Sequence, residues 1–408
     1  MRWRSPLRGP WLTSVFGAAL LVALPVVTLT GLLSYLAYSP QLGQAIPGNV
    51  GWLRPPAVEW PTAPKWAYQL NQGTHVVLGM AVIPVVLAKL WSVTPKLFAW
   101  PPVRSAAHAL ERLSLLLLVG SILFELVTGV LNIQYDYIFG FSFYTAHYFG
   151  AWVFIAAFVA HVCLKLPTMV SSLRSRSFRG ELSTPLSETR PEPADAEGLV
   201  AARPDPPTMS RRGALALVGG GSALVVLLTV GQSIGGAFRP LSVLLPRGRV
   251  LGDGPNDFQV NRTAAAARIS PDDTGTAWRL RLSGGHDDVV FDRPQLLAMP
   301  QHTADLPIAC VEGWSTTQTW TGVRLADLAG LAGVDEPASA RVESLQESGA
   351  FRAASLQRNQ VLAADSLLAL RVNGADLSSD HGFPARIIVP AMPGVHNTKW
   401  VRSIEFRS

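Results

Sequence analysis

The sequence predicts a multi-domain protein: an all-α transmembrane helix bundle of five spans, followed by a separate α+β domain. Three observations predict it. Hydrophobic residues make up 49% of the 408 residues and charged ones only 15%, whereas an ordinary soluble chain carries about 25% charge. The apolar residues concentrate in long runs before residue 235. After about Phe238 they give way to short β-rich runs separated by turn signals.

Five runs reach the roughly 20 apolar residues that a bilayer crossing needs. They are 11–38, 72–91, 110–133, 146–166 and 214–234. The formal charge of +6 does not form a basic face, so nucleic-acid binding is set aside. Instead Arg2, Arg4 and Arg8, then Lys89 to Arg112, then Lys165 to Arg179 flank the runs. The positive-inside rule puts these clusters, and the N-terminus, on the cytoplasmic side. The predicted location is the cell membrane, multi-pass, with the domain after 235 extracytoplasmic.

The predicted organisation follows. Residues 1–179 are a four-span membrane domain. Residues 180–209 are Pro/Glu/Ser/Thr-rich with almost no aromatics, the composition of a disordered cytoplasmic linker. Residues 210–237 open with Ser210-Arg211-Arg212-Gly213 before an apolar run and resemble a twin-arginine export signal retained as an anchor. The alternative is that the two arginines only obey the positive-inside rule. Residues 238–408 are the exported domain, with strands expected at 278–282, 288–291 and 386–389 and helices at 322–331 and 361–367.

Four of the eight histidines fall in or beside the spans: His75, His108, His147 and His161. Ionisable groups in a membrane are expensive and usually functional. Two imidazoles on facing helices supply the axial ligands of an electron-transfer haem. His75 and His147 lie near the outer ends of their spans and are paired as ligands of an outer haem. His161 lies ~21 Å deeper on nearly the same helix face as His147. It pairs with His108 for an inner haem, because Lys89 stands where the second span would need a histidine. The expected count is one or two b haems, and the alternative for His108 is an interfacial residue. The pieces THVVLGMAVIPVVLAKLWSV, HALERLSLLLL and AHYFGAWVFIAAFVAHVCLKLP resemble bacterial cytochrome b561-type membrane subunits. That resemblance implies electron exchange with quinone or quinol.

There are two cysteines, and neither has a plausible disulfide partner: Cys163 lies in an apolar run and Cys310 in the exported domain. Cys310 sits in Ala-Cys-Val-Glu-Gly-Trp-Ser, followed by Trp320-Thr321-Gly322-Val323-Arg324. This block resembles the molybdenum-binding core of the sulfite oxidase family, above all its periplasmic methionine-sulfoxide reductase branch. A soft thiolate is a sensible molybdenum ligand. A second block, His381-Gly382-Phe383-Pro384-Ala385-Arg386 through Asn397 and Lys399-Trp400, is similar to the family's cofactor signature. The resemblance implies that His381, Arg386, Asn397 and Lys399 hold a molybdopterin and its phosphate, with His396 facing the cofactor and Asn261 reaching it from an opening strand. A fixed guanidinium and an ammonium suit a dianionic phosphate. Glu312 matches a position near the metal and is a candidate proton relay; a structurally hydrogen-bonded glutamate is the alternative. His286 and His302 read as loop residues. The family's arginine-rich string beside the Cys is absent, and its extra dimerisation domain is expected to be missing.

The fold class is thus five spans followed by an α+β sulfite oxidase-type molybdopterin-binding domain. The function these readings imply is a membrane-bound oxidoreductase linking quinone, b haem and an extracytoplasmic molybdenum centre, with membrane lipid around it. The substrate class is an S-oxide, as a small molecule or protein-bound. The alternatives are sulfite-type oxidation delivering electrons to quinone, and a non-catalytic electron-transfer or haem-handling protein.

Overall fold

A computed structural model of the chain describes residues 3–39, 58–100, 103, 105–134, 138–195, 198–245, 251–349 and 352–408. Its helices open with α1 (Pro10–Ala37), α2 (Ala67–Ala81), α3 (Ile83–Leu97), α4 (Ala106–Asn132) and α5 (Phe143–Arg174). Among the described residues, five segments are long and apolar enough to cross a membrane: Pro10–Ala37, Ala67–Leu97, His108–Asn132, Phe143–Arg174 and Arg211–Ile234. These match the five predicted runs. The second is broken at Val82, where Pro84 in the first turn of α3 lacks the N–H that a continuous helix needs.

The chain divides into two compact units. The first comprises residues 1–29, 76–132 and 137–228, and the second 30–75, 133–136 and 229–408. The division passes through α1 and α2, so the end of α1 and the start of α2 belong with the C-terminal domain.

In the first unit Leu20, Leu24, Val82, Val86, Ile122 and Phe154 make one core from four helices. Large apolar side chains such as Val22, Leu116, Leu164 and Leu217 are exposed on the outside. An apolar exterior on helices of this length is compatible with a membrane protein.

The segment expected as a disordered linker is instead packed on this unit. Helix α6 (Phe178–Ser183) precedes α7 (Arg211–Leu227). The buried guanidinium of Arg211 pairs with Glu181 at 3.2 Å, and Arg176 pairs with the same carboxylate at 2.6 Å. The Glu192 carboxylate accepts the Trp11 N–H at 2.9 Å, in the first turn of α1. Composition misled here because much of the anchoring comes from carboxylates meeting a helix N-terminus and a guanidinium, with few apolar side chains such as the buried Leu199.

The C-terminal part of the second unit holds ten strands: β1 (Leu280–Ser283), β2 (Val289–Phe291), β3 (His302–Ala309), β4 (Ser315–Arg324), β5 (Ser339–Ser344), β6 (Ala353–Gln357), β7 (Leu367–Val372), β8 (Ala375–Asp376), β9 (Arg386–Ile388) and β10 (Val401–Arg407). One sheet has the order β2-β1-β10-β5-β6; the other runs β3-β4-β7-β8, with β9 also on β7. All ladders are antiparallel except β1 with β10. The Leu-Leu-Ala-Leu run that opens β7 is wholly buried, as a central strand covered on both faces should be.

Two helix boundaries differ from expectation. Residues 322–324 stay in β4 because they pair with β7, and the helix begins only at Leu325. The next helix spans Arg358–Leu362, opened by a reciprocal Gln357/Gln360 capping box, and Leu367 already belongs to β7. Tertiary pairing overrode the local pattern at both places.

Candidate cofactor site

Cys310 occupies the tight connection between β3 and β4. Ala309 and Ser315 close the ladder. The Cys310 N–H donates to the Trp314 carbonyl at 2.9 Å and the Gly313 N–H to the Cys310 carbonyl at 3.0 Å. Gly313 has φ +89°, a conformation that favours glycine. The thiol-bearing residue is buried, in a core with Phe258, Trp314 and Trp320. Glu312 is partly exposed, and its carboxylate accepts the Trp314 indole N–H at 2.8 Å.

The second block is folded against this loop. Pro393 bridges Ala309, and a Cβ on Gly394 would meet the Ala309 carbonyl at 3.2 Å. This close approach brings the turn carrying His396 and Asn397 beside the Cys310 loop. Arg386, on β9, is 3% exposed. Its guanidinium donates to the carbonyls of His381 (3.0 Å) and Asn397 (3.2 Å) and lies over the Trp320 ring. Lys399 Nζ donates to the carbonyls of Arg262 and Asp380 at 2.8 and 2.7 Å. His381 Nε2 donates to the Asn256 carbonyl, and the ring stacks on Phe258. Gly382, at φ +105°, turns the chain so closely that a Cβ there would lie 3.0 Å from Lys399 Cβ and 3.1 Å from Arg386 Cβ.

The site is a concentration of buried basic groups. Burial, with the charges of Arg386 and Lys399, pushes the His381 imidazole down to about 3. Burial alone pushes Arg386 down to about 9. His396 falls to about 4 through burial, and Lys399 to about 7 through burial and then the charge of Arg386. Buried Arg386 Nε, Asn397 Nδ2 and Thr398 Oγ1 make no hydrogen bond. Buried polar atoms are rarely left in that state. Depressed basic groups together with orphaned donors describe a receptor for a large polar anion. A pterin bearing a phosphate fits that donor set, and Cys310 would give its metal a thiolate.

The structure therefore brings together Cys310, His381, Arg386, His396, Asn397 and Lys399. It does not bring in Asn261, which is exposed. Two residues earlier Gln259 is buried, and its Oε1 has no partner. Sequence reasoning also missed a second wall. Gln72 on α2 is buried and donates to the Val311 carbonyl at 2.8 Å, next to Cys310. Gln69 donates to Ser315 Oγ at 2.9 Å. The Trp60 indole donates to the Ala391 carbonyl at 2.7 Å, and Tyr38 meets the His396 ring edge-on. Polar residues at i and i+3 in the first turns of an apolar helix were the available signal. His302, read as a loop residue, opens β3 and pairs with Asp365 at 3.0 Å.

The histidines of the long apolar helices are held individually. His147 Nδ1 lies 3.0 Å from the buried Glu125 carboxylate and 3.1 Å from Thr128 Oγ1, whose hydroxyl donates to the Phe124 carbonyl. Nδ1 is therefore the donor, and Nε2 carries the lone pair in the neutral ring. In the second unit His75 Nδ1 is hydrogen-bonded to Thr30 Oγ1 at 3.3 Å, and a Cβ on Gly31 would lie 2.8 Å from its Cε1. His161 lines a cavity in the first unit, and His108 is not among that cavity's lining side chains. No cluster of three or more His, Cys, Asp or Glu able to hold a metal occurs among the described residues.

Residues 267–408 match the family profile described as the oxidoreductase molybdopterin binding domain. The chain is 36% identical over 138 residues to the uncharacterized oxidoreductase YuiH of Bacillus subtilis, which covers 32% of this chain and 66% of that protein. It is 29% identical over 176 residues to the mitochondrial sulfite oxidase of Drosophila melanogaster, covering 37% of this chain and 30% of that protein. Among solved structures, the sulfane dehydrogenase SoxCD of Paracoccus pantotrophus matches at 27% identity over 32% of this chain and 38% of that one, with a TM-score of 0.30. The chain thus spans just under two thirds of the first relative and about a third of the second. The C-terminal domain is an oxidoreductase domain of the sulfite oxidase type that binds molybdopterin.

Proposed function

We propose, from that domain as premise, that the whole chain is a membrane-bound oxidoreductase. It passes electrons from the quinone pool through b haem to an extracytoplasmic molybdenum centre that reduces an S-oxide-type substrate. One observation carries the reading. Gln72, a helical turn before His75 on α2, reaches the Val311 carbonyl beside Cys310 inside the same compact unit. A candidate haem ligand and the candidate molybdenum ligand are then tied by one helix turn and one hydrogen bond.

Arg386, Lys399, His381, His396 and Asn397 would hold the molybdopterin, and Cys310 would ligate its metal. When bound, the molybdenum centre supplies two-electron oxygen-atom transfer. The protein fixes the thiolate through the Cys310–Trp314 hairpin and excludes water with Phe258 and Trp320. Glu312, oriented by Trp314, offers a carboxyl at the edge of the loop to deliver one of the two protons that S-oxide reduction consumes. His75 and His147 would supply imidazole nitrogens to the b haem, each ring being held through its Nδ1 by a neighbouring side chain.

A second reading is sulfite-type oxidation with electrons delivered to quinone. The cationic pocket, which suits an anionic substrate as well as a phosphate, favours it, as do the sulfite oxidases among the relatives. Intact protein in membranes separates the two readings. Quinol reduces the haem in both; a sulfoxide then reoxidises it in the first, whereas sulfite alone reduces it in the second. Haem that responds to neither, in protein with full molybdenum, rejects both.

A further inference from the structure

The first unit contains a cavity of about 510 Å³, within the range of small-molecule sites. Its walls come from α1, α3, α4 and α5, and its character changes along its length. Leu20, Leu24, Leu118, Ile122, Phe154 and Phe158 make one end wholly apolar. The other end carries Lys89, Lys96, Lys165, Glu111 and Asp195, with His161 on the wall between the two ends.

The polar end is nearly neutralised from within. Glu111 meets both Lys96 and Lys165 at 3.4 Å. Lys89 donates to the Thr13 carbonyl at 2.7 Å. Asp195 accepts the N–H groups of Leu199 and Val200. Three ammonium groups against two carboxylates leave one net positive charge, too little to favour a phosphate headgroup. The walls offer a single imidazole, and a bis-histidine haem needs two.

We infer that this cavity binds a lipid quinone, its ring at His161 and Lys89 and its apolar tail along Leu118, Ile122 and Phe154. A quinone ring is neutral and carries two oxygens, each able to accept from a protein N–H. Its tail is hydrocarbon. An amphipathic, nearly neutral cavity among apolar helices matches both parts, and ionisable groups at that depth mark function. The inference rests on the proposed quinone exchange and names its site. It reassigns His161 from inner-haem ligand to headgroup partner.

The test is equilibrium binding of decylubiquinone to the purified full-length protein in detergent, read by ultrafiltration and absorbance, with haem and molybdenum quantified in every sample. Saturable binding of one quinone per chain is expected. Leu118→Trp, which fills the cavity, should weaken it at least about ten-fold with haem and molybdenum unchanged. His161→Leu should weaken it roughly ten-fold, the effect of one lost hydrogen bond. Wild-type affinity in Leu118→Trp overturns the site. So does a His161→Leu protein that loses haem but keeps its quinone affinity. If Leu118→Trp does not fold, Ile122→Phe tests the same volume. Quinone binding in a protein whose haem quinol cannot reduce supports the site and rejects the electron-transfer reading. Haem reduction with no effect of the cavity variants rejects the site alone.

Discussion

The cofactor site and the histidines of the long helices fix their side chains in opposite ways. The site in the second unit is built from main-chain carbonyls and buried cations packed on a sheet. Arg386 and Lys399 are fixed by the carbonyls of His381, Asn397, Arg262 and Asp380. The histidines in the helices are fixed by side chains one helical turn or one neighbouring helix away, as Glu125 and Thr128 fix His147. Mid-helix carbonyls already accept an intrahelical N–H, so an imidazole there is oriented chiefly by another side chain. Loops have carbonyls in plenty, and the domain uses them to hold the buried Arg386 and Lys399 side chains.

The sharpest way to break this comparison is at Cys310. Cys310→Ser keeps the loop's main-chain hydrogen bonds and replaces the soft donor with a hard one. Turnover should fall by roughly a thousand-fold or more, as it does when a group at the reacting atoms is lost. The haem spectrum should be unchanged. Elemental analysis and a substrate-driven haem assay measure both. A serine variant that retains molybdenum and activity would falsify the assignment of Cys310.

The second prediction concerns the histidines. Glu125→Gln keeps an acceptor for His147 Nδ1 but removes the charge, making the ring a weaker donor to iron. Haem retention should weaken about ten- to a hundred-fold, the usual effect of losing a second-shell carboxylate. The haem midpoint potential should rise. A redox titration with an unchanged potential and full haem content means that His147 is not an axial ligand.

How much of this was legible depended on where the partners lie in the chain. The five helices and the two blocks around Cys310 and His381–Lys399 are local patterns, and local patterns can be read. Asn261 is exposed while Gln259, two residues earlier, is buried: the strand-like alternation read there would put both on one face, so it could not separate them. Gln72, Trp60 and Tyr38 were invisible as site residues because they lie more than 230 residues before Cys310 and interrupt an apolar or irregular stretch. The 180–209 segment failed for the same reason. Its order rests on Glu181 and Glu192 meeting Arg211 and Trp11, pairings that composition does not encode.

The smallest effect is on stability, and it follows from the cations that the sheet domain buries. Lys399 has a folded value near 7 against 10.5 unfolded. Between those values the unfolded chain binds a proton that the folded one does not, so stability declines as pH falls from about 10.5 to 7. His381, near 3, and His396, near 4, extend the decline below their unfolded value of 6.5. Each group contributes a slope of at most about 1.4 kcal/mol per pH unit. Urea midpoints of cofactor-free protein should therefore fall on going from pH 10 to 8, and again from pH 6.5 to 5. The cofactor phosphate returns the proton to Lys399, so the upper decline should flatten in the loaded protein, and cofactor binding at pH 8–9 should take up a proton. An upper decline of equal slope with and without cofactor would mean that the ammonium faces no anion. The phosphate would then have to be held by Arg386 alone, and the two-cation receptor inferred from the second block would be wrong.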